Sequence, residues 1–140
     1  MNRPTANLNL LVLRSQNIER LAEFYSSLGF RFERHRHGKG PEHYSTNGSG
    51  VVLEIYPAKS ADSVTLSLRL GFEVDRIDEM HSTLLVAGAT QVSPPSDSEW
   101  GRRSVIDDPD GNRVELLQAR QRITEPSARP NDDSATASSP

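Results

Sequence analysis

The sequence predicts an α+β fold: two β-α-β-β-β modules forming a curved mixed sheet around a cleft, with helices outside. Three observations carry this expectation. Apolar periodicity switches from strand-like to helix-like and back twice along the chain, in the same order each time. Matching points of the two halves lie about sixty residues apart: Ile18 and Ile77 near the helix starts, Gly29 and Gly88 after the helix ends, Glu54 and Glu115 in the final strands. The second half closes on Asp108-Pro109-Asp110-Gly111 between two strand-like runs, which reads as a hairpin turn.

In the first half, residues 7–14 are Leu-rich and read as a buried strand. Asn17 or Ser15 is placed to cap a helix. From Ile18 to Leu28 the apolar spacing is three and four, and Gly29 ends the helix. Residues 30–34 alternate as a strand, and 35–41 form a polar connection. Residues 42–45 and 51–56 flank Asn47-Gly48-Ser49-Gly50 as a hairpin.

A linker over 57–62 precedes the second half. Residues 64–72 alternate as a strand, 75–86 carry helical spacing up to Gly88, and 90–92 are a short strand. Pro94-Pro95-Ser96-Asp97-Ser98 reads as a loop. The closing hairpin runs from Ser104-Val105-Ile106 through Asp110, which can bond its own backbone, to 113–117. The domain is expected to span 1–120, with modules over 7–57 and 63–118. Residues 121–140 are rich in Pro, Ser, Ala, Asp and Thr. They lack the apolar surface to offset ordering entropy and are expected to be disordered.

Composition narrows the function classes. The net charge is −3 and no basic stripe follows any expected element, so no nucleic-acid partner is expected. There is no cysteine, which removes disulfides, thiolate nucleophiles and Cys-based zinc sites. No apolar run approaches the ~20 residues that span a bilayer, so no membrane partner is expected either. Met1 to Thr5 lead straight into the first strand without a signal-peptide pattern. A soluble cytoplasmic protein is the expectation.

The candidate chemistry sits on the final strands. Glu54 and Glu115 each stand between two apolar residues, so each points away from them, to solvent or to a cavity. If the halves pair about a pseudo-twofold axis, the two carboxylates face each other across a shared concavity. A two-residue turn at Gly48-Ser49 would set His43 opposite Glu54 on one face, where the carboxylate raises imidazole basicity. The run His35-Arg36-His37-Gly38-Lys39-Gly40 reads as a cationic loop near the pocket mouth, suited to an anionic ligand. His81, within the second helix, is expected on the surface. Trp100 either walls the cavity or plugs the sheet edge. Strand alternation turns one of Arg102 and Arg103 inward, where it is expected to pair with Glu115.

The helix Ile-Glu-Arg-Leu-Ala-Glu-Phe-Tyr-Ser-Ser-Leu-Gly-Phe and the ending Asp-Pro-Asp-Gly-Asn-Arg-Val-Glu-Leu, within duplicated modules, resemble the vicinal oxygen chelate superfamily. That group includes glyoxalases, extradiol dioxygenases, fosfomycin-resistance enzymes and bleomycin-resistance binding proteins. The resemblance covers roughly residues 7–118. It implies a homodimer, and in metal-dependent members a divalent cation (Mn, Zn, Ni or Fe) held by two first-strand and two last-strand side chains. Glu54 and Glu115 match the last-strand pair. The first-strand slots fall on Leu10 (or Asn9) and Arg69 (or Ser67), none a usual ligand. Either Arg69 replaces the metal and balances Glu54 or Glu115, or His43 helps refill the shell.

Three functions follow. The first is a metal-dependent lyase, isomerase or transferase of glyoxalase type, using Glu54, Glu115 and His43. The second is a metal-free binding protein of the bleomycin-resistance kind, with Tyr56 and Trp100 as aromatic walls and Arg103, His35 and His37 near the ligand. The third is a metal-free enzyme with His43 and Glu54 as base and Arg69 stabilising an oxyanion.

Overall fold

The computed structural model describes residues 2–48 and 50–120. The expected disordered tail, 121–140, and Ser49 of the expected hairpin turn lie outside the described residues. The first module runs β1 (Leu10–Ser15), α1 (Ile18–Ser26), β2 (Phe32–His35), β3 (His43–Thr46) and β4 (Val52–Pro57). The second runs β5 (Arg69–Glu73), α2 (Ile77–Val86), β6 (Thr90–Ser98), β7 (Gly101–Asp107) and β8 (Arg113–Ala119). Each module forms a four-stranded mixed sheet, ordered β1-β4-β3-β2 and β5-β8-β7-β6. The first and last strands of each module pair in parallel, so the final strand is interior and its carboxylate has a neighbour on either side.

Elements depart from the sequence reading where hydrogen-bond partners decide. β1 begins at Leu10 rather than residue 7, because the strand it pairs with, β4, begins at Val52 opposite Leu10. β5 begins at Arg69 rather than residue 64. Ser67 takes a positive φ of 64°, and Thr65 bonds instead to Arg14 of β1 through both backbone and hydroxyl. The expected loop at 94–98 is strand: β6 continues to Ser98. It is an edge strand with register shifts between Gln91 and Ser96, a setting that tolerates Pro94 and Pro95.

The helices start by different means. Asn17 caps α1, its side-chain oxygen accepting the Arg20 N–H at 3.0 Å. α2 has no side-chain cap of its own, and Gln118 Oε1 from β8 accepts the Ile77 N–H at 2.9 Å. Each helix covers one face of its sheet. The core unites both modules, with Leu13, Phe24, Tyr25 and Ile55 from the first and Ile77, Leu84, Ile106 and Leu116 from the second.

The hairpin at 108–112 is also a join between modules. Asp108, rather than Asp110, bonds the turn backbone, its Oδ1 accepting the Asp110 and Asn112 N–H groups at 2.9 and 3.0 Å. Its Oδ2 accepts the buried Tyr25 hydroxyl of α1 at 2.7 Å. Asp110 pairs with Arg20 of α1 at 2.9 Å. Among the described residues no helix is long and apolar enough to cross a membrane.

Candidate functional site

Strand alternation divides each sheet into a helix-covered face and an open face. On β8, Val114 and Leu116 are buried against the helices, and Arg113, Glu115 and Leu117 take the open face. Glu115 lies between β5 and β7, and an arginine reaches it from each. Arg69 donates through Nε and Nη2 to Oε1, at 3.1 and 2.8 Å. Arg103 donates through Nε to Oε2 at 2.8 Å. The hydrogen bond from Arg103, then that from Arg69, holds the Glu115 carboxyl below the usual glutamate range. The expected pairing of Glu115 with an inward arginine therefore holds, and Arg103 is the partner. Arg102 turns to the helix side and binds Asp78 of α2 and Asp97.

Glu54 stands on the open face of the other sheet. Five residues separate β3 from β4, so the connection is not the two-residue turn that the sequence suggested. The register shifts by two, and Ser45 rather than His43 lies opposite Glu54. His43 still shares that face but packs beside Tyr56, with ring centroids 4.1 Å apart and planes 8° from parallel. Arg14 lies over the other part of this stack, 5.4 Å from the Tyr56 centroid. His43 is 1% exposed. Its Nδ1 is 3.3 Å from the Pro41 carbonyl, and its Nε2 is buried with no hydrogen-bond partner among the described residues. His35 and His37 join it, with centroids 6.0 and 5.3 Å from the His43 ring. Trp100 is not with Tyr56: it lies between β6 and β7 on the second sheet and is 68% exposed.

The strand registers also locate the first-strand positions. Val12 lies beside Glu54 and Gly71 beside Glu115. Leu10 lies beside Val52, Arg69 lies beside Arg113, and Asn9 and Ser67 precede their strands. Among the described residues, no three His, Asp or Glu side chains are grouped to hold a metal ion. Glu115 has both oxygens on guanidinium groups, and the neighbours of Glu54 are Val12 and Ser45. These residues do not fit the metal set that the resemblance implies.

A cleft of about 380 Å³ opens between the modules, lined by Leu8, Leu11, Val51, Leu70, Gly71 and Phe72 among others. Gly71 was not singled out by sequence reasoning. Its signal was available, since a glycine inside a strand pattern marks close approach or open space. A Cβ built there would meet no atom within 4 Å.

His81 corrects the expectation of a surface residue, being 4% exposed. Its Nδ1 lies 2.9 Å from Ser104 Oγ, and its Nε2 lies 2.8 Å from Gln91 Oε1. Both ring nitrogens are thus satisfied inside the second module, where a buried imidazole would otherwise be costly. The repeat carried a signal for this: the offset that aligns Ile18 with Ile77 sets His81 on Ala22, another buried helix position.

The duplicated modules, with paired parallel strands ending each sheet and a carboxylate at the same place in both, define a class of fold. The model of the Glyoxalase/Bleomycin resistance protein/Dioxygenase superfamily matches residues 7–116, and the chain belongs to that superfamily. Solved structures share the fold. TnmS3, an antibiotic binding protein from Streptomyces sp. CB03234, is 23% identical, with 85% of this chain and 100% of that chain covered at a TM-score of 0.67. A glyoxalase/bleomycin resistance protein/dioxygenase family enzyme from Burkholderia phytofirmans PsJN is 18% identical, covering 82% and 100% at 0.65. TioX from Micromonospora sp. ML1 is 20% identical, covering 82% and 100% at 0.63. A comparison with curated proteins finds no match.

Proposed function

We propose that this protein binds a small molecule in the inter-module cleft without a resident metal, as a sequestering protein rather than a glyoxalase-type lyase. The observation that carries the reading is the state of Glu115. Both carboxylate oxygens are engaged by arginine, so a cation would have to approach between two guanidinium charges, and among the described residues no further ligands are grouped there. The apolar cleft between the modules gives a ligand somewhere to bury its body. That the same fold serves an antibiotic binding protein, TnmS3, is in keeping with this function. The reading includes a homodimer, which the family resemblance implies, and a cytoplasmic location, expected from the sequence. Light scattering after size exclusion is expected to give twice the chain mass.

The acid–base alternative with His43, Glu54 and Arg69 has less support. No hydrogen bond joins His43 to Glu54 among the described residues, and Arg69 is on the other sheet, committed to Glu115. The test combines metal and ligand. Protein purified without chelator and loaded with Mn²⁺, Zn²⁺, Ni²⁺ or Fe²⁺ is expected to retain none stoichiometrically. Thermal-shift screening against glycopeptides, aromatic acids and α-oxo compounds is expected to find a ligand that is recovered unchanged. Stoichiometric metal that Glu115→Gln abolishes, or turnover of the ligand, would overturn the proposal.

A further inference from the structure

We infer that the part of the ligand held in the cleft is an uncharged aromatic body, seated among apolar side chains on the helix-side face of both sheets. The inference rests on the binding reading above and adds the ligand's chemical class. The cleft of about 380 Å³ is an unfilled extension of the core. Leu11 and Leu53 are register neighbours on β1 and β4, and Leu70 and Phe72 share one face of β5. All four line the cleft. Leu53 belongs to the core, and Leu11, Leu70 and Phe72 pack against it. Phe30, from the connection between α1 and β2, adds a further wall.

The lining sets the charge of what enters. Every side chain that lines the cleft is apolar, among the described residues, and Gly71 contributes backbone only. Strand alternation turns Arg69 and Glu73 to the opposite face of the sheet, with Glu115. An ionised group entering the cleft would shed its water and meet no counter-charge or donor side chain, which is the costly case of burial. An uncharged ring loses little hydration and gains contact on several sides.

Two of the walls favour an aromatic ring. Phe30 and Phe72 stand edge to face, with centroids 5.7 Å apart, and the buried Tyr25 ring lies 6.3 Å from Phe72. A further ring set against Phe30 and Phe72 extends this cluster in the geometry that aromatic pairs prefer.

The recess suits a small molecule rather than a second copy of the chain. Of the lining side chains only Leu8 and Val51 are exposed, at 71% and 44%, and they mark the mouth. A protein surface laid across the mouth would meet those two and leave the floor empty. A body of two fused rings reaches the floor, and the volume lies at the small end of ligand pockets.

The test is calorimetry on the full chain at neutral pH with 1-naphthalenemethanol and its charged counterpart 1-naphthoate. The alcohol is expected to bind at least about tenfold tighter, with little dependence on salt and a negative heat-capacity change. Val51→Asp, a change at an exposed position, puts a carboxylate at the mouth and should weaken the alcohol about fivefold or more. Leu70→Trp fills the recess and should weaken it about tenfold or more, with thermal denaturation to show that the variant folds. Phe30→Leu removes one ring and should weaken it about threefold. Arg69→Met, on the opposite face, should leave it unchanged. Naphthoate binding as tightly as the alcohol, an affinity that Val51→Asp and Leu70→Trp both leave in place, or no saturable binding of the alcohol would overturn the inference. So would a dimer that Val51→Asp dissociates and that binds neither probe, since a second copy would then be the occupant. A charged ligand that is recovered unchanged and lost in Leu70→Trp would overturn the chemical class alone and leave the binding function standing. Stoichiometric metal that Glu115→Gln abolishes would overturn that function itself.

Discussion

The two modules share an order of strands and differ in how they treat matched positions. Glu115 is gripped by two arginines from the strands beside it. Glu54, its counterpart, has Val12 and Ser45 beside it and no ion pair among the described residues. The helix starts differ the same way, α1 capped by its own Asn17 and α2 by Gln118 from a distant strand. So do the helix interiors, where Ala22 of α1 is matched by His81 of α2, bonded to two strands. Where the first module uses local or apolar contacts, the second uses polar groups that reach across the fold. The modules share a backbone plan but not a charge pattern, and the two arginines on Glu115 make the second module the stronger candidate site.

The comparison breaks most sharply at the buried polar bond between Tyr25 of the first module and Asp108 of the second. Asp108→Ala leaves the buried Tyr25 hydroxyl and two turn N–H groups without an acceptor. It is expected to cost about 3 kcal/mol, read by urea denaturation. Asp108→Asn keeps an acceptor for the turn and should cost less. Burial, the largest influence, raises the Asp108 pKa against the opposing pull of its hydrogen bonds. A raised carboxyl favours folding below its unfolded pKa, and that contribution is lost as pH rises through the folded value. Glu115, in the same hairpin, has a lowered pKa and the opposite sign. Two acids seven residues apart therefore push stability in opposite directions as pH falls.

The next contrast is inside the helices. His81→Ala removes the partner of Ser104 and Gln91 and opens a void in the second module. It is expected to cost about 2 kcal/mol, while Ala22→Gly, at the matched place in α1, should cost about 1 kcal/mol from helix propensity alone. Thermal denaturation of the two variants tests the difference. If His81→Ala cost no more than Ala22→Gly, the cross-strand bonds of the second module would contribute nothing net.

These contrasts show what could be read from the sequence. The module order was legible because strand and helix periods differ and each recurs. Pairing of Glu115 with an arginine was legible from alternation, which needs only the strand assignment. The partner of Glu54 was not, because register depends on loop length, and a shift of two moves His43 from Glu54 to Tyr56 without changing its face. β6 was obscured because Pro94 and Pro95 carry a turn signal that an edge strand overrides. Gly71 was passed over because its role comes from space left by neighbours distant in sequence.

The smallest effects separate the two carboxylates themselves. Glu115→Gln keeps the shape and removes the charge that holds Arg69 and Arg103 together. The pairs are partly exposed, so the loss at neutral pH is small. Its pH dependence is what identifies it. A lowered carboxyl contributes above its unfolded pKa, and that contribution is lost as pH falls through the folded value. The gap between wild type and Glu115→Gln should therefore close on acidification, and it should narrow in high salt. Glu54→Gln removes no ion pair among the described residues and is expected to stay within about 0.5 kcal/mol of wild type. A gap of equal size and equal pH dependence in both variants would mean that the modules use their carboxylates alike. The assignment of the candidate site to the second module would then fail.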